Sequence, residues 1–443
     1  MTTCGSATEL TQECLSDLCT LITDGTHKTP KYTENGIPFI STANIVPFGA
    51  FKFGTYTRYI SEKDHIELTR RCKPEPGDIL VSKIGTLGLS KLVDVDYPFS
   101  IFVGLALLKL KRSAVDGRFL EQVLNTQECQ QAMVAASPGS TRSTLTLAAI
   151  KKLEICLPPI AHQRGIAKVL SMVDQAIEQT DALIAKQERI KTGLMQDLLT
   201  RGIDEHGNLR SEQSHAFKDS RLGRIPVEWE VKRLGCALEK INQGWSPDCD
   251  SDPADMGEWG VLKTTAVVWQ GYQAHENKAL PSTLKPRPSL EIRPGDLLMT
   301  RAGPNSRVGV VVYVYGTRSK LMLSDKIYRL VPAKNIDGRF LCYSLSGFQS
   351  QRHLSNLKTG MAESQTNISQ DIVKALLTVC PPEKEQEQIA DRIDRLSGES
   401  NKTVATLKKL RSLKTGLMQG LLTGKKRVTP LLGVCSQPIE QAS

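Results

Sequence analysis

Lys191-Thr192-Gly193-Leu194-Met195-Gln196 occurs a second time as Lys414-Thr415-Gly416-Leu417-Met418-Gln419, and Leu-Leu-Thr follows one residue after each copy. The same offset of 223 residues relates Pro158-Pro159 to Pro381-Pro382. No residue has therefore been gained or lost within either copy of this segment. A repeat of constant length indicates a duplicated chain, in which two equal spacers present two similar sites.

Shorter matched islands lie upstream in each copy, but their spacing drifts. Pro76–Leu80 (PGDIL) matches Pro294–Leu298 (PGDLL) at an offset of 218 residues, and Asp116–Leu120 (DGRFL) matches Asp337–Leu341 at an offset of 221. The residues between the islands differ, which indicates loops of different length and sequence on one scaffold. We therefore expect two domains with one fold and two different targets.

An apolar stripe at helical spacing follows each proline pair. Proline is tolerated in the first turn of a helix and blocks its extension backwards, so each pair predicts a helix start. Gly202 and Gly424 stand where a C-terminal cap is expected. About 40 residues give a helix of about 60 Å, which is too long to lie across one domain. This length favours an antiparallel coiled coil of the two helices over packing of each helix on its own domain.

The predicted seam of this coiled coil consists of apolar residues at helical spacing, with a phase shift before Ile190 and before Leu413. In the first helix they are Ile166, Leu170, Val173, Ile177, Ile184, Ile190, Leu194 and Leu198; in the second they are Ile389, Ile393, Leu396, Leu407, Leu413, Leu417 and Leu421.

The residues before each helix are typical of mixed α/β domains. Apolar runs bounded by glycine and proline, such as 77–83 and 296–301, predict strands. The fold class is therefore α+β, with two mixed α/β domains in tandem and two long helices. Two strand ends, Ser82-Lys83 and Thr300-Arg301, place a hydroxyl beside a long cation, a pair that suits a phosphate oxygen. An ordinary exposed strand end is the alternative interpretation.

Composition bears on partners and compartment. Lysine and arginine number 57 against 47 aspartate and glutamate, a formal charge of +10, and basic side chains that neutralise phosphates favour a polyanion partner. Charge concerns association rather than fold, so basicity alone does not decide the partner. The chain lacks an apolar run of about 18 residues and a signal peptide, which predicts a cytoplasmic protein without membrane contact. Eleven cysteines, none in a C-x2-C pair, indicate neither a zinc site nor a disulfide framework.

Sequence motifs for catalysis are missing. The chain contains no G-x4-G-K-[ST] loop, no H-E-x-x-H, no G-x-S-x-G and no Asn-Pro-Pro-aromatic run. Its seven histidines do not recur between the copies, whereas a duplicated enzyme would be expected to repeat its catalytic residues. The sequence therefore favours a recognition subunit that binds no metal or cofactor and directs catalysis done elsewhere.

Several motifs then occur in the order of a known family. They are Leu198–Asp204 (LLTRGID), Phe217–Pro226 (FKDSRLGRIP) leading to Trp229, and Pro158-Pro159 with Gln163. Together they resemble the specificity subunit of type I restriction-modification systems over nearly the whole chain. The resemblance implies two target-recognition domains, at 1–155 and 225–378, and two conserved helices that pair as an antiparallel coiled coil, at 156–203 and 379–424. A linker at 204–224 and a basic tail at 425–443 complete this division.

The resemblance also implies partners. The subunit would bind double-stranded DNA and read a bipartite sequence, one half-site per domain. It would dock two methyltransferase subunits, which use S-adenosylmethionine for adenine methylation, and two motor-nuclease subunits, which use ATP and magnesium. A coiled-coil assembly scaffold without sequence-specific DNA binding, and an enzyme in its own right, remain alternatives.

Base readers are expected on the loops that differ between the copies, because Arg, Lys, Asn and Gln side chains on loops can reach base edges. The candidate readers are Lys28, Lys31, Arg142, Gln243, Asn305, Arg307 and Gln365, and the candidate phosphate contacts are Lys83 and Arg301.

Overall fold

The computed structural model describes residues 10–54, 57–137, 144–358 and 363–426. The chain divides into two compact units. Unit 1 comprises residues 1–183 and 403–443, and unit 2 comprises residues 184–402. Each unit therefore contains one mixed α/β domain and a segment of each long helix. Within the described ranges, no helix is both long and apolar enough to cross a membrane.

Unit 1 is built on two four-stranded sheets. Its strands are β1 (Thr11–Cys14), β2 (Cys19–Asp24), β3 (Tyr32–Thr33), β4 (Ile37–Ile40), β5 (Arg58–Ile60), β6 (Ile79–Ser82), β7 (Ser90–Leu92), β8 (Ser100–Ile101), β9 (Leu105–Leu110) and β10 (Glu154–Leu157), and its helices are α1 (Leu15–Leu18), α2 (Glu62–Thr69), α3 (Gly117–Leu124), α4 (Gln127–Ala135), α5 (Leu147–Lys151) and the beginning of α6 (Ile160–Thr200). The sheets are ordered β2-β9-β6-β7 and β3-β5-β4-β8, and β1 pairs with β10.

Strand β9 shows why a strand in the main sheet of unit 1 consists almost entirely of apolar residues. Its side chains alternate between two cores: Leu105 and Leu107 pack against the second sheet, while Ala106 and Leu108 pack against α1, α3, α5 and α6. Successive side chains of a strand point to opposite faces of the sheet. Because both faces are covered, both sets are apolar.

Unit 2 repeats this plan. Its strands are β11 (Phe217–Ser220), β12 (Gly223–Pro226), β13 (Glu230–Arg233), β14 (Leu238–Gln243), β15 (Gly260–Leu262), β16 (Val267–Val268), β17 (Gly271–Tyr272), β18 (Asn277–Ala279), β19 (Leu297–Thr300), β20 (Ala302–Gly303), β21 (Val311–Tyr313), β22 (Leu321–Met322), β23 (Ile327–Pro332), β24 (Thr366–Asn367) and β25 (Leu377–Cys380), and its helices are α7 (Leu234–Ala237), α8 (Gly338–Ser346), α9 (Phe348–Leu357), α10 (Gln370–Ala375) and the beginning of α11 (Glu383–Leu421). The main sheet is ordered β14-β23-β19-β21, which is the order of β2-β9-β6-β7 with each strand replaced by its counterpart.

The repeated Pro-Gly-Asp island forms a turn before the central strand of each main sheet. Gly77 and Gly295 have φ of 94° and 96°, a left-handed conformation that favours glycine. Asp78 accepts a hydrogen bond from the Glu75 backbone N–H at 2.9 Å, and Asp296 accepts one from Arg293 N–H at 2.9 Å. The island is shared because both turns have the same geometry.

The repeated Asp-Gly-Arg-Phe-Leu island begins a helix that meets the long helix of its own copy. Asp116 caps α3 through Phe119 N–H at 3.1 Å, and Asp337 caps α8 through Phe340 N–H at 2.9 Å. Gln163 of α6 accepts from Asp116 N–H at 3.0 Å, and Gln386 of α11 accepts from Asp337 N–H, also at 3.0 Å.

The amides of these two glutamines complete a shared joint. Gln163 Nε2 donates to Ala114 O at 3.2 Å and to Pro158 O at 2.9 Å. Gln386 Nε2 donates to Asn335 O at 3.2 Å and to Pro381 O at 2.9 Å. Two distant islands of the repeat are thus the two sides of one hydrogen-bonded joint between a domain and its helix.

The two long helices pair in antiparallel orientation within each unit. In unit 1, Lys414 Nζ lies 2.6 Å from Asp174 Oδ1, and Arg411 Nη2 lies 3.0 Å from Asp181 Oδ2, so residues later in α6 meet residues earlier in α11. In unit 2, Ser400 Oγ donates to Glu188 Oε1 at 3.0 Å. The antiparallel coiled coil and the α+β fold class are as the sequence predicts.

The residues proposed for the seam fall into two groups by burial. Ile190 and Leu413, which occupy equivalent positions, are 50% and 51% exposed, so the apolar stripe does not predict burial at these two positions. The others are buried or half-buried: Ile166, Leu170, Val173, Ile177, Ile184, Leu194, Leu198, Ile389, Ile393, Leu396, Leu407, Leu417 and Leu421.

The helix boundaries follow the prolines and glycines. Helix α6 begins at Ile160 and α11 at Glu383, each directly after a proline pair, while β25 extends to Cys380. Gly202 and Gly424 follow the helix ends with φ of 63° and 72°, which confirms the predicted caps.

Gly202 also lies where the chain after α6 packs tightly against α11. A Cβ at Gly202 would stand 2.2 Å from Glu385 Oε1. Glu385 is 6% exposed and accepts hydrogen bonds from Ile203 N–H at 2.9 Å and from the Trp229 indole at 3.1 Å. Arg210 completes the cluster, with Nη1 at 2.5 Å and Nη2 at 3.2 Å from the two carboxylate oxygens. The motifs LLTRGID and IP-x-x-W therefore meet at one buried ion pair.

Candidate nucleic-acid interface

In unit 2, three strand ends bring the predicted site residues together. Gln243 ends β14, Arg301 follows β19, and β24 pairs with β20 directly after Arg301. Gln243 Nε2 and Arg301 Nη1 both point to the backbone carbonyl of Asp325, at 3.5 and 3.2 Å. Four distant parts of the sequence thus meet at one edge of the main sheet: they contain Gln243, Arg301, Asp325 and Asn367.

Arg301 is held in a fixed position. Its Nη2 donates to Asn367 Oδ1 at 2.7 Å, and its guanidinium lies 5.2 Å from the Tyr328 ring centroid. Its Nε is buried and has no hydrogen-bond partner among the described residues. A guanidinium fixed by two neutral acceptors and a ring keeps its positive charge uncompensated, which suits an anionic ligand.

The loop after Arg301 carries two further candidates. Asn305 N–H donates to Glu363 O at 2.9 Å, which joins this loop to the segment that contains Gln365. Lys358, whose pKa burial lowers, donates to Asn305 O at 3.0 Å and so holds the loop from within.

The side chains on this loop are available to a ligand. Arg307 and Gln365 are exposed and Asn305 is half-buried. A hydrogen bond from Thr265 is the largest cause that lowers the pKa of Glu276, and the positive charge of Arg307 acts in the same direction.

In unit 1, the loop after β2 carries Lys28 and Lys31, and both side chains are exposed. Thr26 Oγ1 accepts from Lys28 N–H at 3.1 Å and donates to Lys28 O, which shapes the loop. Arg142, the third candidate reader of this half, lies outside the described residues. Leu145 N–H donates to Lys83 O at 2.9 Å, so the segment after Arg142 returns to the end of β6.

Lys83 has a different environment from the one its sequence position suggests. Its side chain is 9% exposed, and its Nζ lies 2.6 Å from Asp24 Oδ2. Burial by itself would raise the pKa of Asp24, but the hydrogen bond and charge of Lys83, with His27 and Arg71, lower it below its ordinary value. Lys83 neutralises a carboxylate of its own chain, so it does not offer a free ammonium to solvent; its phosphate contact stays a prediction.

Other residues of this edge are not evident from residue type alone. Trp245 lies directly after Gly244, and the Arg287 guanidinium covers its ring at 4.1 Å from the centroid. A Cβ at Gly244 would stand 2.0 Å from Leu323 O, and a Cβ at Gly25 would stand 2.2 Å from Ile101 O. At each glycine the backbone passes close to another segment of the same unit, where a side chain would not fit. Each glycine directly follows its strand, β14 or β2, and this shared position in the sequence is the signal that could have located the close approach.

The arrangement can bind and position a ligand through cations, amides and one stacked aromatic ring. Within the described part of the chain, no group of three or more His, Cys, Asp or Glu side chains is placed to hold a metal ion. The charges and amides at the strand ends are those used to contact nucleic-acid phosphates and base edges.

Comparison with known proteins gives a consistent similarity. The family model for the type I restriction modification DNA specificity domain matches residues 9–188 and 226–410. The EcoEI specificity subunit of Escherichia coli is 41% identical over 178 residues, which are 40% of this chain and 30% of that protein. The MjaVIII specificity subunit of Methanocaldococcus jannaschii is 27% identical over 293 residues, 63% of this chain and 64% of that protein. The matches thus span less than two thirds of these two relatives.

Among solved structures, a type I restriction-modification S subunit from M. genitalium has a TM-score of 0.61 at 16% identity, and the alignment covers 95% of this chain and 98% of that one. A chain from a study of complex assembly in the type I system has a TM-score of 0.52 at 16% identity, with 93% and 97% covered. At this identity the likeness concerns the fold.

Proposed function

The chain belongs to the family of type I restriction modification DNA specificity domains, and on that premise we propose that it reads a bipartite DNA target for a type I restriction-modification complex. Each unit reads one half-site. The chain itself carries out no reaction and directs the chemistry of its partners to the chosen sequence.

The observation that carries this proposal is the contrast between what the two units share and what they do not. Gln163 and Gln386 make the same joint with the same three kinds of partner. The strand ends differ: β2 ends in Asp24 with Lys83 beside it, and β14 ends in Gln243 with Arg301 beside it. A common scaffold with different polar ends suits recognition of two different sequences, because base contacts specify while phosphate contacts position.

We assign the base contacts to polar side chains at the strand ends and on the loops. In unit 2 these are Gln243, Asn305, Arg307 and Gln365, with Arg301 on a phosphate. In unit 1 they are Lys28 and Lys31, together with Arg142. Amide and guanidinium side chains can form paired hydrogen bonds to purine edges in the major groove.

Catalysis is assigned to partner subunits. Two methyltransferase subunits would use S-adenosylmethionine, and two motor-nuclease subunits would use ATP and magnesium. Paired helices of constant length would hold the two half-site readers at a set spacing, and would offer the partners a surface common to both halves.

A domain exchange tests the proposal. Residues 1–157 are replaced by the matching domain of a relative with a different target, and the boundary lies after β10 because β10 pairs with β1. The variant is expressed with the methyltransferase subunit, and the methylated motif is found by sequencing genomic DNA for modified adenine. We expect one half of the motif to change and the other half to stay.

The reciprocal exchange of residues 225–380 serves as the matched control and should change the other half only. If either exchange alters both half-sites, the two-reader proposal is wrong. If neither exchange alters the motif, the chain is an assembly scaffold.

A further inference from the structure

A cavity of about 360 Å³ lies in unit 2 next to the loop that joins β22 and β23. We call it the lysine pocket and define it by Lys263, Lys278, Ser324 and Lys326, which line it together with Cys249 and Thr264. None of its lining residues is acidic. The pocket is separate from the side chains already assigned to base contacts.

Ser324 is the buried polar group of this pocket. It is 3% exposed, and its Oγ forms no hydrogen bond with any residue of the described ranges. Buried hydroxyls almost always have a partner, so an orphaned one indicates a ligand or water that satisfies it. A hydroxyl can donate to an anion, and the three lysines that line the same pocket favour one.

The protein compensates these lysines in part. Lys263 Nζ donates to the backbone carbonyl of Ser251 at 3.0 Å and, together with a hydrogen bond from Thr265, which is the larger cause, its charge lowers the pKa of Glu276. Lys326 Nζ lies 3.3 Å from Asp325 Oδ2, but that lysine side chain is 50% exposed, and such surface pairs contribute little. A pocket lined by three lysines and no acidic residue therefore favours an anion with several oxygens.

The corresponding place in unit 1 is built differently. Lys83 N–H donates to Gly104 O at 2.7 Å and Arg301 N–H donates to Lys326 O at 2.9 Å, so Gly104 stands where Lys326 stands. By the same offset Phe102 replaces Ser324, and its ring packs on Phe39 with centroids 5.9 Å apart. In unit 1 an aromatic contact thus stands at the position that Ser324 occupies in the pocket of unit 2.

We infer that the lysine pocket seats one phosphate of the DNA backbone, next to the bases read by unit 2. This inference rests on the proposed function. The connection is the segment Ser324–Lys326: its ends line the pocket, while the Asp325 carbonyl between them receives Gln243 and Arg301. A phosphate seated there fixes the register of the base contacts and carries no sequence information itself. The pocket belongs to one half of the target only, because unit 1 has Phe102 and Gly104 at these positions.

The test uses the full chain in complex with its methyltransferase subunit. Binding is measured by fluorescence anisotropy between 50 and 200 mM salt, a range over which phosphate contacts dominate the salt dependence. One duplex carries the motif found by methylation sequencing, and the other is unrelated in sequence. The variants are Lys263→Gln, Lys326→Gln and Ser324→Ala. Lys334→Gln is the matched control, because Lys334 is exposed and lies beyond the opposite end of β23, a strand about 20 Å long at 3.4 Å per residue.

Both pocket lysine variants should weaken binding to the two duplexes by the same factor, and should reduce the slope of log K against log salt by about 0.9 in magnitude. Ser324→Ala should weaken binding without changing the slope, and Lys334→Gln should change neither quantity. The methylated motif should stay the same in all variants.

Unchanged affinity and slope in both lysine variants, with the wild type still binding its motif, would overturn the pocket assignment and leave the proposed function intact. A relaxed or altered motif would also overturn it, since the pocket would then contact a base. A wild-type complex that prefers neither duplex at any salt concentration would overturn the proposed function itself.

Discussion

The ends of β2 and β14 occupy the same place in the two units, but the side chains at these ends have different partners. In unit 1 the last residue is Asp24, which is buried and neutralised by Lys83. In unit 2 it is Gln243, which is exposed, and Arg301 has no carboxylate partner among the described residues. The strand end of unit 1 thus carries an internal ion pair, whereas that of unit 2 presents an amide and a cation at the edge of the sheet. Fold equivalence does not imply equivalent chemistry.

The two helix starts differ in the same way. Glu385 of α11 is held by Arg210, Trp229 and the Ile203 backbone. Its counterpart in α6 is His162, whose Nδ1 is buried without a hydrogen-bond partner in the described part of the chain. The neighbouring glutamines are identical, so the common joint survives while the residue beside it changes role.

Even the residues of the identical repeat have different surroundings. Lys414 lies 2.6 Å from Asp174 and 3.2 Å from the centre of the Phe48 ring, and burial lowers its pKa although Asp174 acts in the opposite direction. The counterpart Lys191 has Ser397 where Lys414 has Asp174, and it lines an open cavity. Identity of sequence in the repeat therefore does not carry over to identity of contact.

The largest expected effect comes from disrupting the buried cluster around Glu385 in unit 2, whose counterpart position in unit 1 is His162. Arg210→Met leaves the Glu385 carboxylate buried and uncompensated, so the free energy of unfolding of unit 2 should fall by about 3 to 5 kcal/mol. All four tryptophans lie between residues 229 and 269, so urea unfolding followed by tryptophan fluorescence reports unit 2. Arg224→Met is the control, because Arg224 pairs with Glu212 and is 53% exposed; its loss should stay below about 1 kcal/mol. Equal losses in both variants would contradict the comparison.

A second, smaller effect concerns the hydrogen-bonded glutamine joint that the two units share. Gln163→Ala and Gln386→Ala each leave a backbone N–H and two carbonyls of the joint without their partner, which should cost about 2 kcal/mol in either unit. Hydrogen exchange of peptides from each unit measures both variants on one scale. Gln386→Ala should also lower the fluorescence transition, and Gln163→Ala should leave it in place. Losses that differ by more than about 1 kcal/mol would show that the joint is not equivalent in the two units.

The smallest expected effect tests the strand ends by pH. Lys83→Met should reduce the free energy of hydrogen-exchange protection in unit 1 by about 1.5 kcal/mol near neutral pH. The loss stays this small because Arg71 still pairs with one oxygen of Asp24. The pKa of Asp24 is lowered in the folded state, so this stabilisation is present above the ordinary aspartate pKa of about 3.9 and is lost as the pH falls below it. Hydrogen exchange at several pH values should therefore show the difference from wild type shrinking below about pH 4.

Arg301→Met is the matched control for that pH dependence. Arg301 bonds to a carbonyl and an amide, neither of which titrates, so its difference from wild type should not vary with pH in the same window. A pH-dependent loss at Arg301, or a pH-independent loss at Lys83, would remove the contrast between the two strand ends.

The sequence alone determined the features that depend on local chemistry and on repetition. The duplication, the proline-bounded helix starts, the glycine caps at Gly202 and Gly424, and the apolar strands all follow from residue types at fixed spacing. The two-unit α+β architecture followed from the same repeats, and the family followed from the motifs Leu198–Asp204 and Phe217–Pro226 together with the helix entry at Pro158-Pro159. For the candidate site, the strand-end position of Arg301 and the exposure of Arg307 and Gln365 were also accessible, because long polar side chains on loops that differ between copies are rarely buried.

Only the tertiary structure decided which of these residues meet, because each decisive contact joins residues far apart in sequence. Lys83 is an ion-pair partner because Asp24 is brought to it across 59 residues. Gln243 and Arg301 share the Asp325 carbonyl, and the Ser324 hydroxyl, in a pocket lined by three lysines, has no hydrogen-bond partner within the described ranges. No local pattern encodes such a meeting. The strand-end hydroxyl is buried in both units, but the cation beside it is buried against a carboxylate in unit 1 and half-buried against a carbonyl and an amide in unit 2. The difference lies in what the rest of the chain places next to it.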